Sequence, residues 1–310
     1  MSLYYIKSGF ESAKARPTLT VIMYVSNLIM GILLSIPVLA AFSKATAESG
    51  YANDLSQGFD ITLWADILEN SPSFLPTLIA QLFWVLPVLF VWKMASSAGL
   101  IHAQMKEIED QDGAPDQDGT PDESEASAAG ADERSQRLAR NRNTTRRFWV
   151  GLGSNALKST ALGFLYLVPT VIAILIVSVI GLVLAQVAVG EVGAFWVQAV
   201  FLPLALFMCV AFIDMMHDFG RVELVAGRKG IMDSWFAGLK WPFHSGNANS
   251  IYIGWMVLGI VFLFIPFMLD LSSGGLFIAF VFQQLFLAAR AFITVGWLGS
   301  EVKLVEDTLE

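Results

Sequence analysis

Six long apolar segments interrupt the charged residues of this 310-residue chain. Each is close to or longer than the roughly 20 residues that a helix needs to cross a bilayer. The segments lack the alternation of a barrel strand, and in lipid a helix satisfies its own backbone polar groups. The sequence therefore predicts an all-α fold, a polytopic membrane helical bundle in one domain, with spans near residues 18–42, 74–99, 160–189, 196–216, 250–270 and 276–299.

The distribution of Lys and Arg predicts the orientation of these spans. Of the 19 basic residues, all but Lys44 lie on the side of the bundle that also holds both termini. Cytoplasmic loops are the ones enriched in Lys and Arg, so we expect both termini in the cytoplasm. The first span is too long for the roughly 7–15 apolar residues of a signal peptide, and we expect it to stay uncleaved. Small residues at 45–47 leave cleavage as an alternative.

Composition excludes an ordinary soluble domain, since 55% of the residues are hydrophobic and only 15% are charged. The net charge of −8 arises from residues 107–133, which hold eleven acidic residues and no basic one. This stretch has no aromatic residue and buries too little apolar surface to offset the entropy of ordering. It predicts a disordered acidic cytoplasmic linker, with docking of a partner or collection of cations as the alternatives.

An arginine-rich segment follows the acidic linker and ends at Phe148 and Trp149. Each basic side chain near an anionic membrane surface contributes about 1 kcal/mol of binding, so we expect a surface helix on the cytoplasmic headgroups. Simple topological anchoring is the alternative, and nothing else in the chain indicates nucleic-acid binding. The candidate lipid contacts are Arg134, Arg137, Arg140, Arg142, Arg146 and Arg147.

A short pattern recurs before the odd-numbered spans, at Phe10–Lys14, Ser154–Lys158 and Phe236–Lys240. In each case a lysine closes an amphipathic stretch just before the chain enters the membrane. The pattern predicts three helical hairpins, each introduced by an interfacial amphipathic helix. Chance convergence of short amphipathic sequences is the alternative.

Ionisable residues at membrane depth are the first candidates for a site, because burying a charge there costs about 2.5–3.5 kcal/mol. Asp214 near the inner end of the fourth span and Arg290 in the sixth lie at comparable depth. We expect an interhelical ion pair between them, with independent snorkelling to the interface as the alternative. A proton relay through Asp214 and His217 is a further possibility.

The chain lacks the motifs of several enzyme classes. Its three histidines have no HExxH spacing, and it contains neither a P-loop nor a GxSxG motif. Cys209 is the one cysteine, which leaves no intrachain disulfide or thiolate cluster. We therefore expect no catalytic residue, no metal and no cofactor.

The stretch Asp214–Val225, DMMHDFGRVELV, resembles uncharacterised bacterial six-span membrane families when it is taken with the lead-in Phe236–Lys240 and two closing spans. Similar domains accompany some glycerophosphodiester phosphodiesterases. The resemblance implies a location in the bacterial inner membrane and carries no catalytic residue to this chain.

Three functional hypotheses follow. The first is a non-enzymatic scaffold or accessory subunit that contacts the bilayer and an unidentified membrane-protein partner, and it predicts a dry bundle interior. The second is a small-molecule or lipid permease, which needs a cavity at mid-depth lined by Gln81, Gln283 or Gln284. The third is a lipid-modifying enzyme, which needs acidic and His groups converging at an interface.

Overall fold

A computed structural model describes residues 2–49, 62, 65, 69, 74–105, 129–188, 190–227, 229–268 and 275–309. These residues are helical almost throughout, which confirms the predicted all-α class. The helices are α1 (Ser2–Ala15), α2 (Pro17–Ser49), α3 (Phe74–Gln104), α4 (Ala129–Val187), α5 (Gly190–Trp196), a π turn (Val197–Phe201), α6 (Leu202–Val225), α7 (Ile231–His244), α8 (Gly246–Met268) and α9 (Gly275–Leu309).

Six helical stretches within the described residues are long and apolar enough to cross a membrane. The share of buried residues in their most apolar windows is small, between 0% and 22%. Apolar side chains that face outward along a whole helix are typical of a protein whose solvent is lipid. The chain is therefore a multi-pass membrane protein.

Several helices extend beyond the predicted spans. Helix α4 runs without a break for 59 residues, so Ser154–Lys158 lies inside this helix and does not form a separate lead-in helix. At 1.5 Å per residue α4 is about 90 Å long, far more than the hydrocarbon thickness of about 30 Å. Of the predicted linker, residues 107–128 lie outside the described residues, and residues 129–133 form the first turn of α4.

Helix α5 begins at Gly190, whose φ of 74° favours glycine. Farther along, the N–H of Leu202 bonds to the carbonyl of Val197, five residues back, and this bond closes the π turn. Pro203 follows directly. Because proline has no N–H and its ring clashes with the preceding helical turn, a locally wider turn accommodates it.

The described chain divides into two compact units. The smaller unit, Ile22–Lys93, contains most of α2 and the first two thirds of α3. Within it the rings of Phe42 and Phe74 lie 6.4 Å apart, and the indole N–H of Trp84 donates to the Gln81 side chain at 2.6 Å.

The larger unit comprises residues 1–21 and 94–310, and its buried residues cluster at one end. We call this the basic end. It is built from α1, α7, residues 94–104 of α3, 213–225 of α6 and 291–309 of α9, together with the parts of α4 and α8 that pack on them. The core of the larger unit therefore lies where the sequence places its cations.

Close helix crossings at glycine recur across the basic end. Helix α1 crosses α9 where Gly9 meets the carbonyl of Gly296, and α7 crosses α6 where Gly238 lies against Gly220. The first half of α4 crosses α3 where Gly99 lies against Phe148. A methyl group at any of Gly9, Gly99 or Gly238 would come within 3 Å of the facing helix, so glycine sets these helix separations.

Candidate functional site

One face of α6 carries four polar residues: Asp214, His217, Asp218 and Arg221. Separations of three, four and seven residues place them on the same side of a helix. Helix α6 extends to Val225, so this face enters the packed core, and Arg221 is only 3% exposed. A buried guanidinium requires partners, since an unpaired buried charge is strongly unfavourable.

Arg221 finds these partners on two helices. Its Nη2 pairs with Oδ1 of Asp218 one turn earlier in α6, and its Nη1 donates to Oγ of Ser97 in α3 at 2.7 Å. Ser97 in turn donates to the carbonyl oxygen of Met94 at 2.9 Å. These contacts connect α6 to the last turns of α3.

A second chain of contacts connects α6 to α8 and α9. The Tyr252 hydroxyl donates to Oδ2 of Asp214 at 3.0 Å, and the Tyr252 ring meets Trp297 edge to face at 5.0 Å. The indole N–H of Trp297 donates to Oε1 of Glu301 at 2.6 Å. Glu301 is fully buried, and both Asp214 and Glu301 interact electrostatically with Arg221.

We call Asp214, Asp218, Arg221, Tyr252 and Glu301 the charge cluster. One guanidinium here faces three carboxyl groups, and Oε2 of Glu301 is a buried atom with no hydrogen-bond partner among the described residues. Buried ion pairs and hydrogen bonds in low dielectric fix helix positions, because breaking one leaves an uncompensated group. The charge cluster therefore holds α3, α6, α8 and α9 in one arrangement.

Three side chains on this face of α6 have the composition of a candidate metal site. Ligand atoms of Asp214, His217 and Asp218 lie within 4.8 Å of one another. Asp218 is already paired with Arg221, and Asp214 accepts from Tyr252. An adjacent guanidinium opposes the approach of a second cation. This donor set therefore fits its internal ion pair better than a divalent metal.

The predicted ion pair between Asp214 and Arg290 has no counterpart among the contacts of the described residues. Arg290 is exposed on α9, while Asp214 is directed to Tyr252. The predicted depth of both residues was similar, but depth along the membrane does not determine which faces of two helices meet. The cation near Asp214 is Arg221.

Part of the charge cluster is visible in the sequence. Arg221 is seven residues after Asp214 on the same helical face, but the fourth span is predicted to end at 216 and so leaves Arg221 outside it. Trp297 lies near the end of the predicted sixth span, and Glu301 lies in the part of α9 beyond it. The apolar residues Val295, Leu298, Val302 and Val305 repeat at helical spacing across the end of that span and indicate a packed extension.

The six candidate lipid arginines all lie on α4. The side chains of Arg134, Arg137 and Arg140 lie outside what the structure describes, and Arg142 and Arg146 are exposed. Arg147 has a different role, because its Nη2 donates to the carbonyl oxygens of His102 and Met105 at 3.4 and 2.8 Å.

Arg16 reinforces the same helix end by donating from Nη1 to the carbonyl oxygen of Gln104 at 3.1 Å. The last carbonyls of a helix lack intrahelical donors and carry partial negative charge. Two guanidinium groups, one from the junction of α1 and α2 and one from α4, thus cap the carboxyl end of α3. The Gln104 side chain extends this junction to α9, where its Nε2 donates to the carbonyl oxygen of Val295 at 2.9 Å.

Two polar cavities open at the basic end. The larger, about 620 Å³, lies between α1, the end of α3, α4 and α9, and its lining includes Arg16, Arg147 and Lys303. We call it the α1 cavity. The second, about 540 Å³, lies along α7 and is lined in part by Lys229, Lys240 and His244.

A third cavity, about 220 Å³, is mainly apolar and lies between α6 and α8, with Met208, Met215 and Met256 in its lining. None of these three cavities is lined by Gln81, Gln283 or Gln284. Gln283 is exposed, and Gln81 accepts a hydrogen bond from Trp84 within the smaller unit. The cavity lining therefore gives no specific support to the permease hypothesis.

Comparison with protein-family models, with curated proteins and with solved structures gives no match to this chain.

Proposed function

We propose that this chain is a non-enzymatic scaffold or accessory subunit of the bacterial cytoplasmic membrane, with both termini and the basic end in the cytoplasm. The proposal rests on the contacts that the buried charged residues make. Arg221, Asp218 and Asp214 are engaged with one another or with Ser97 and Tyr252, and none of these three charged residues lines a described cavity. Charges used in this way stabilise a helix arrangement and are not presented to a substrate.

Convergence of Asp214, His217 and Asp218 is the feature that a lipid-modifying enzyme would need. Catalytic acids and bases must reach a reacting group, however, and therefore must border a substrate pocket. Asp218 and His217 are buried; Asp218 pairs with Arg221, and the His217 ring lies 5.1 Å from the Tyr166 ring. The geometry therefore favours the structural role over the enzymatic one.

Three helical hairpins complete the proposal, the first and third introduced by the separate helices α1 and α7 and the second by the first half of α4. Each of these segments packs closely on another helix at a glycine: α1 on α9, the first half of α4 on α3, and α7 on α6. Helix α7 also presents the exposed apolar residues Met232, Phe236 and Phe243 along one face, while Ser234 and Gly238 are buried on another. An amphipathic helix of this kind suits the headgroup boundary of a bilayer. The resemblance to bacterial six-span families supports the choice of membrane.

Copurification tests the scaffold role. The full-length chain would be isolated from its native membrane in a mild detergent, with crosslinking, and its partners identified by mass spectrometry. We expect one membrane protein in a fixed ratio to the chain. A matched variant replaces residues 107–128 with a Gly/Ser segment of equal length, and should lose that partner while keeping its stability. Solute uptake by proteoliposomes containing the purified chain alone would contradict the scaffold role and favour a permease.

A further inference from the structure

The α1 cavity combines charges of both signs. Arg16, Arg147 and Lys303 contribute three cations, and Glu11 and Glu306 contribute two acids. Lys303 also pairs with Asp307 at 2.6 Å, which leaves two of its three ammonium hydrogens for a ligand. Glu11 lies 3.7 Å from Lys7 in an exposed pair, which contributes little. Serine and threonine hydroxyls add neutral donors to the same lining, at Ser8, Ser12 and Thr144. A lining of this composition suits a ligand that itself carries both a negative and a positive group.

Two helix faces hold these charges in a fixed relation. The lining residues of α1, from Ser8 to Ala15, and those of α9, from Gly299 to Glu306, both follow separations of three and four residues. The two helices pack closely because Gly9 lies against Gly296. The guanidinium groups of Arg16 and Arg147 are anchored at the end of α3. The positive side of the cavity is therefore preorganised before a ligand arrives.

The charge balance distinguishes between ligand classes. A purely anionic ligand would benefit from the three cations but would be repelled by Glu11 and Glu306. A phosphate joined to an ammonium group satisfies both sets of charges. A primary ammonium also donates hydrogen bonds to carboxylates, which the quaternary ammonium of choline cannot do. The cavity volume of about 620 Å³ is within the usual range for small-molecule pockets, roughly 300–1,000 Å³.

We propose that the α1 cavity binds a zwitterionic phosphodiester headgroup that carries a primary ammonium, as in an ethanolamine phospholipid. The phosphate faces Arg16, Arg147 and Lys303, and the ammonium faces Glu11 and Glu306. The choice of a lipid as the source of this headgroup rests on the proposed cytoplasmic orientation of the basic end. The chemistry of recognition does not depend on the scaffold role.

Native mass spectrometry of the purified full-length chain tests the proposal. Delipidated protein would be offered equal amounts of ethanolamine, glycerol and choline phospholipids with identical acyl chains. The primary ammonium donates charge-assisted hydrogen bonds to Glu11 and Glu306, so we expect the ethanolamine lipid to be retained about tenfold over the choline lipid. Equal retention of the three lipids, or preference for the anionic glycerol lipid, would overturn the proposal.

Variants locate the binding at this cavity. Glu306→Gln should reduce the preference for ethanolamine over glycerol lipid, and Lys303→Gln should weaken retention of all three. Ala15→Trp, at an exposed position on the rim, should block binding without changing a charge. Lys158→Gln makes the same charge change on an exposed residue of α4 away from the cavity and should bind like the parent. A loss with Lys158→Gln equal to that with Lys303→Gln would assign the effect to net charge and reject the site.

Soluble competitors separate a lipid from a free phosphate. Glycerophosphoethanolamine should displace the bound lipid, because it carries the whole headgroup. Inorganic phosphate should not displace the lipid at the same concentration. Displacement by inorganic phosphate alone would show a simple phosphate site and overturn the proposal. These measurements use purified protein, so their failure is distinguishable from the absence of a partner in native membranes.

Discussion

Arg221 becomes a buried residue because its helix continues past the point where the apolar run ends. An arginine just beyond an apolar segment is typical of an interfacial loop, and the sequence pattern alone favours that interpretation. In the structure α6 extends to Val225, and Arg221 is enclosed by Asp218 and Ser97. The partners of Arg221 are determined by tertiary packing. They depend on which faces of α3 and α6 meet, and a single-helix pattern does not contain that information.

Arg221→Met should strongly destabilise the protein. The substitution leaves Asp218 buried without its cation, and loss of one partner of a buried pair costs about 3–5 kcal/mol. Thermal unfolding of the detergent-purified protein, followed by fluorescence-detected size exclusion, measures the effect. Arg290→Met is the matched control at an exposed arginine and should change stability by about 0.5 kcal/mol or less. Equal losses for the two variants would show that Arg221 is no more important than a surface arginine.

Asp218→Asn and Glu301→Gln make the same chemical change at two buried carboxyl groups, and we expect different results. Asp218 loses its ion pair with Arg221, at a cost of about 3 kcal/mol. At Glu301 the amide oxygen of Gln can still accept from Trp297, and one acid is removed from a cluster that has more acids than cations. Stability of Glu301→Gln should therefore be unchanged within about 1 kcal/mol or increase. The opposite order of the two variants in the unfolding assay would contradict the assigned pairing.

At the scale of elements, the sequence predicts the membrane-crossing parts of the helices and misses their extensions. Apolar runs in spans two to six contain enough signal to locate α3, α4, α6, α8 and α9, because any helix in lipid requires them. Beyond the predicted spans, residues 217–225 and 300–309 mix apolar and charged side chains, as an interfacial loop also does. Their burial follows from packing against other helices, so the charge cluster that they build could be predicted only in part.

Gly238→Ala tests the crossing of α6 and α7. A methyl group at this position would overlap the Tyr166 hydroxyl and the carbonyl of Met216 and would lie 2.9 Å from Cα of Gly220. The Tyr166 hydroxyl bonds to the carbonyl oxygens of Met216 and Trp235 at 3.0 and 3.1 Å, so the displacement would disturb α4, α6 and α7 together. Overpacking of this kind costs about 1–3 kcal/mol.

Gly153→Ala is the control for this crossing, because the space around Gly153 is open. Alanine favours a helix over glycine by up to about 1 kcal/mol, so this variant should be neutral or slightly more stable. Thermal unfolding of the two purified variants would be compared under identical conditions. A Gly238→Ala protein as stable as Gly153→Ala would show that the close approach of α6 and α7 is not required.

At the scale of the molecule, the basic end and the apolar helix windows contribute differently to the folded structure. The apolar windows remain at the surface, where lipid surrounds them, and contribute little buried core. The basic end holds most of the buried residues of the larger unit, including its buried charges. Specific helix–helix packing therefore concentrates at the basic end. Substitutions at the basic end should accordingly affect stability more than conservative apolar substitutions within the membrane windows.

The proposed topology can be measured with single cysteines, because the chain has only Cys209 to remove. In a Cys209→Ala background, Glu191→Cys follows the short turn between α4 and α5 and should react with a membrane-impermeant maleimide added to intact cells. Leu3→Cys on α1 and Thr308→Cys near the end of α9 should react only after the membrane is permeabilised. Both expectations follow from the distribution of basic residues, because Lys44 is the only one assigned to the outer side. Labelling of Leu3→Cys and Thr308→Cys on opposite faces would require an odd number of crossings. In that case the basic end would not lie at the anionic leaflet. There would then be no reason to expect a phospholipid in the α1 cavity.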